Sequence, residues 1–96
     1  MMAIENPKIT IEELDSLERK INDNSATLPE YEKLEGFIKT FGLDDLLSQS
    51  LKKYNLYSMS DVFMERKKPN THKNPIMEGS IVGVLTGIII AMRRNL

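Results

Sequence analysis

Apolar residues recur at helical spacing along most of the chain, and each run is bounded by recognisable start and stop signals. Leu14, Leu17 and Ile21 form a narrow stripe, with charged residues filling the other faces. Thr10 with Glu13 is a capping box that opens this segment, and Ile9 stands where it can staple onto Leu14. The polar run from Asn22 to Ser25 ends it. A second box, Thr27 with Glu30, follows at once, with Pro29 in the first turn, where a missing N–H costs nothing. Leu28, Tyr31, Leu34, Ile38 and Phe41 then share a face, and Gly42 suits the position just past the helix end.

A third helix is expected from about Asp44 to Tyr54, built on Leu43, Leu46, Leu47, Leu51 and Tyr54. Asp44 and Asp45 complement the positive end of its dipole, Lys52 and Lys53 the negative end, and Asn55 stops it. Ser58 or Ser60 caps a short fourth helix through Val62, Phe63 and Met64 to roughly Lys67. The stretch from Lys68 to Pro75 is polar and bounded by prolines, which reads as a linker. The pattern predicts an all-α protein: a loose leader (1–9), a small helical partner-docking region (10–67), a linker (68–75) and a C-terminal apolar segment (76–94).

That last segment carries the strongest single signal. Gly79, Gly83, Gly87 and Ala91 recur every fourth position within the apolar run from Ser80 to Met92, which Arg93 and Arg94 close. Residues four apart lie on one helix face, so this spacing leaves a continuous strip without bulky side chains. Such a strip lets two backbones approach closely, a main source of helix association in lipid. Three glycines weaken a helix in water but are better tolerated in a transmembrane one. The uncharged stretch from Gly79 to Met92 is about 21 Å long as a helix, against a hydrocarbon core of about 30 Å. Lys67, Lys68 and Lys73 before it, with Arg93 and Arg94 after it, could snorkel to the interfaces and extend its reach. Glu78 could reach the headgroups or pair with Lys73.

Three structures for the segment stay open on sequence alone. It is a short single-pass helix, a helix buried in protein, or two strands (Ile81 to Val84 and Ile88 to Ile90) turning at Thr86-Gly87. In the spanning case more bases precede it than follow it, which places the N-terminal region on the cytoplasmic or matrix side. A short, moderately apolar anchor ending in Arg93-Arg94 is similar in general character to tail anchors of mitochondrial membranes, and a mitochondrial or bacterial inner membrane is the expected location.

Composition adds a charge split. Net charge is −1, but residues 1–65 hold 13 acidic and 7 basic side chains, while 66–96 hold one acid and six bases. Bases on both sides of an apolar run favour a membrane surface, and with no basic patch interleaved with aromatics, nucleic-acid binding is not expected. The first residues have no apolar run, so a cleaved secretory signal is not expected. With no Cys there is neither disulfide framework nor thiolate metal site.

Catalytic chemistry finds little footing. His72 is alone in a polar stretch without metal-ligand partners. Asp44 and Asp45 diverge on a helix, and Ser48 and Ser50 have no base in a nucleophile motif. The tail glycines lack the Lys-Ser/Thr of a phosphate loop, and the Met residues are scattered. No cofactor, metal or small-molecule substrate is expected. Tyr54, Tyr57 and Phe63, with Met59 and Met64, form a patch suited to core packing or to partner docking. The expectation is a small, non-enzymatic accessory subunit of a membrane complex, tail-anchored through its glycine-faced helix. The alternative is a soluble structural component of a large particle, such as a virion or secretion apparatus, with its apolar tail buried by neighbouring subunits.

Overall fold

The computed structural model describes residues 9–69 and 75–96, which form five α-helices and, among the described residues, no strand. They are α1 (Ile11–Asn22), α2 (Leu28–Thr40), α3 (Asp44–Lys52), α4 (Met59–Arg66) and α5 (Pro75–Arg94). The tail is therefore helical throughout, and the two-strand alternative is excluded. Unbroken i, i+4 hydrogen bonding over 20 residues outweighs the local strand preference of its β-branched residues.

The starts of α1, α2 and α4 each follow from a side chain that satisfies an orphan backbone donor. Thr10 Oγ1 accepts from the Glu13 N–H at 3.1 Å, and Thr27 and Glu30 make a reciprocal capping box. Ser58, not Ser60, caps α4 by accepting from the Asp61 N–H at 3.2 Å, while Asp61 Oδ2 accepts from the Tyr57 N–H at 2.8 Å. No side chain caps α3, whose first turn instead carries Asp44 and Asp45.

The first three helices end in one shared way. Asn24, Gly42 and Asn55 all adopt positive φ, at 60°, 73° and 62°. In each case the next N–H reaches back to the last full turn: Ser25 to the Lys20 carbonyl, Leu43 to Ile38, Leu56 to Leu51, at 2.8–3.1 Å. This is the Schellman arrangement, which satisfies carbonyls that the helix end leaves open. It also explains why α3 stops at Lys52 rather than at Tyr54. Tyr54 is needed in the turn that delivers Asn55 to its left-handed conformation.

The stripes then meet in one core. Leu14, Leu17 and Ile21 of α1 pack chiefly on α5, and α5 also lies against α3. On the other side, α2 packs on α4 and α3 through Tyr31, Leu34, Phe37 and Ile38. The thin stripe of α1 suffices because its partner is the most apolar helix of the chain.

Candidate interaction site

One turn of an α-helix is 3.6 residues, so positions two apart point about 200° from each other. This arithmetic divides α5 into two sides. Ile81, Leu85, Ile88, Ile89 and Met92 face inward and are buried among α1 and α3. Gly79, Gly83 and Gly87 each sit two positions before Ile81, Leu85 and Ile89, so they face outward and are exposed. A Cβ added at any of the three would meet no neighbouring atom within 4 Å. Ala91 is half-buried at the far end of the strip, and Ile76 and Ile90 on the outer surface are 80% and 39% exposed. Among the described residues, no other helix covers the three glycines.

Among the described residues, α5 is also the one helix long and apolar enough to cross a membrane. Its span, Ile76–Arg94, has a mean hydropathy of 1.6, and 28% of it is buried.

Ion pairs pin α5 at both ends. Arg66, at the end of α4, is 2% exposed. Its Nε and Nη2 donate to Glu78 Oε2 at 2.8 and 2.7 Å, and its Nη1 donates to the Ile21 carbonyl at 2.7 Å and to the Tyr31 hydroxyl at 2.8 Å. One guanidinium thereby joins α1, α2, α4 and α5. Burial weighs against its charge, but the bonds to Glu78 and Tyr31 outweigh that and hold its pKa above the ordinary arginine value. Burial likewise pushes the Tyr31 phenol up, with the Arg66 charge pulling partly the other way. At the opposite end Arg93 pairs with Asp15 at 2.7 Å and with Glu18.

Several expected roles change in this setting. Glu78 pairs with Arg66; Lys73, its expected partner, lies outside the described residues, as does His72. Of the expected membrane-flanking bases, Arg93 is engaged with α1 and Arg94 is exposed. Lys67 lies over the Phe63 ring, 5.2 Å from its centroid, and Lys68 pairs with Glu65 at 2.9 Å. The aromatic patch is not one surface. Phe63 is half-buried edge-on to Tyr31, centroids 5.8 Å apart, Tyr54 is half-buried against the core, and Tyr57 is 69% exposed.

Arg66 is the residue that sequence reasoning missed. Its signal was present: Met59, Val62 and Arg66 share one helical stripe, so the buried face of α4 runs directly onto a guanidinium. An open hollow of about 440 Å³ between α1 and α5 is lined by Asp15, Glu18, Arg19, Asn22 and Arg93. Arg93 pairs with the two carboxylates on that wall. No group of three or more His, Asp or Glu among the described residues could hold a metal ion. No protein-family model, curated protein or solved structure matches the chain.

Proposed function

We propose that this protein is a small non-catalytic structural subunit of a multi-protein membrane complex, joined to it through α5. The observation that carries the reading is the division of that helix. Large residues hold it to its own body, and a strip of glycines on the opposite side is open to a neighbour. Close approach of a second helix backbone is what such a strip favours, and the gain is largest in lipid, where apolar surface alone gives no drive to associate. The length and hydropathy of α5 support membrane contact, as a single-pass anchor once it is released from α1 and α3, with residues 1–75 on the cytoplasmic or matrix side.

A second reading rests on a different observation, the ion pairs at both ends of α5 together with its packing on α1 and α3. A tail held this firmly suits a soluble component of a large particle, in which neighbouring subunits cover the outer strip. Carbonate extraction of native membranes separates the two. An integral subunit stays in the pellet and co-purifies with partner proteins in mild detergent. Quantitative release into the supernatant overturns the membrane assignment and favours the particle.

A further inference from the structure

We propose that Arg66 and Arg93 form a two-ended latch that determines whether α5 lies docked on its own body or enters a lipid bilayer. The inference rests on the membrane reading above and adds its regulation.

The docked form cannot be the inserted one. α1 lies along α5 and carries Glu12, Glu13, Asp15, Glu18 and Arg19, and charges of that number are too costly in hydrocarbon. Entry into the bilayer therefore requires α5 to leave α1 and α3. For its own inward residues the exchange is nearly neutral, because lipid tails are as apolar as the core they quit. What distinguishes the two states is lost from the docked one. The cover over the α1 and α3 stripes goes, and so do the ion pairs of Arg66 with Glu78 and of Arg93 with Asp15 and Glu18. In water both terms keep α5 docked. An anionic lipid surface offers the partly exposed Arg93, and the exposed Lys67, Lys68 and Arg94, alternative partners, so it weakens the Arg93 end of the latch where the helix is to be delivered.

The chain has no Trp, so Ile90→Trp on the outer side of α5 supplies a single reporter. Its emission and its quenching by brominated lipid are followed on vesicles of equimolar phosphatidylcholine and phosphatidylglycerol. The parent reporter is compared with Arg66→Leu and with Asp15→Asn/Glu18→Gln, none of which alters a residue of α5. A charge-matched control, Glu12→Gln/Glu32→Gln, removes two exposed carboxylates elsewhere. Arg66→Leu should raise bilayer partition about tenfold or more, since loss of a buried ion pair shifts a docked equilibrium at least that far. Asp15→Asn/Glu18→Gln should act in the same direction, beyond the control, and it carries the test if Arg66→Leu does not fold. Equal partition of the parent and both variants overturns the latch while leaving membrane binding in place. Absence of lipid quenching in every protein overturns the membrane reading and the latch with it.

Discussion

The two sides of α5 use the same four-residue spacing and do opposite things. Ile81, Leu85 and Ile89 complete the core, whereas Gly79, Gly83 and Gly87, two positions away in each case, face open space among the described residues. Side-chain bulk makes the difference. An aliphatic side chain gains by leaving water, so its face is drawn to whatever apolar stripe the rest of the chain offers. A glycine gains nothing by burial inside its own domain and costs helix stability in water. Its use lies in how closely another backbone can come. One face reports on folding, and the proposed function assigns the other to association.

This contrast can be broken from either side. The largest effect is expected from Leu85→Ala, which removes a fully buried side chain at the meeting of three helices; it should cost about 4 kcal/mol. A urea unfolding midpoint measures the loss, and a change below about 1 kcal/mol would mean that the inward face is not core. Arg66→Leu should cost about 3 kcal/mol, because the Ile21 carbonyl, Tyr31 hydroxyl and Glu78 carboxylate all lose their donor. The same urea titration reads it, and an unchanged midpoint would remove the ion-pair node from the account. Gly83→Ala should move stability the other way, by a gain of about 1 kcal/mol, since the methyl group enters open space and the helix prefers Ala. A higher melting temperature is expected; a lower one would show the outer face to be packed after all.

A smaller effect marks the body away from α5. The Lys20 ammonium, with the Thr27 backbone N–H, holds the Glu30 carboxyl below the usual carboxylate range. A pKa lowered on folding contributes stability that is present above the unfolded-state value and lost as pH falls through the folded-state value. Glu30→Gln should therefore flatten the acid limb of the stability–pH profile and leave its alkaline limb unchanged. An acid limb as steep as in the wild type would contradict the role of this pair.

Much of the fold was legible because helix ends are written locally. Thr10, Thr27, Ser58 and Gly42 each fix a boundary through one or two backbone bonds, and no distant part of the chain can overrule them cheaply. The split of α5 into large and small sides was equally plain in the spacing. Which neighbour the large side would choose was not, because periodicity names a face and leaves its partner open. The sequence showed the α1 stripe and the tail as separate features, and only their packing unites them. Arg66 was obscured for a related reason. A basic residue near an apolar run reads as a flank, and its burial depends on three acceptors, Ile21, Tyr31 and Glu78, that arrive from three other helices. Glu78, expected to reach the headgroups or to pair with Lys73, pairs with Arg66, a base that the fold brought to it.

Whether the bare side of α5 is the joining surface is tested most directly by the native mass of the Gly83→Leu/Gly87→Leu protein, extracted in mild detergent beside the wild type. The wild type should migrate within a multi-protein complex. The double variant should migrate as a lone chain, with its unfolding midpoint no lower and its membrane association intact. A double variant that keeps every partner of the wild type would contradict the account.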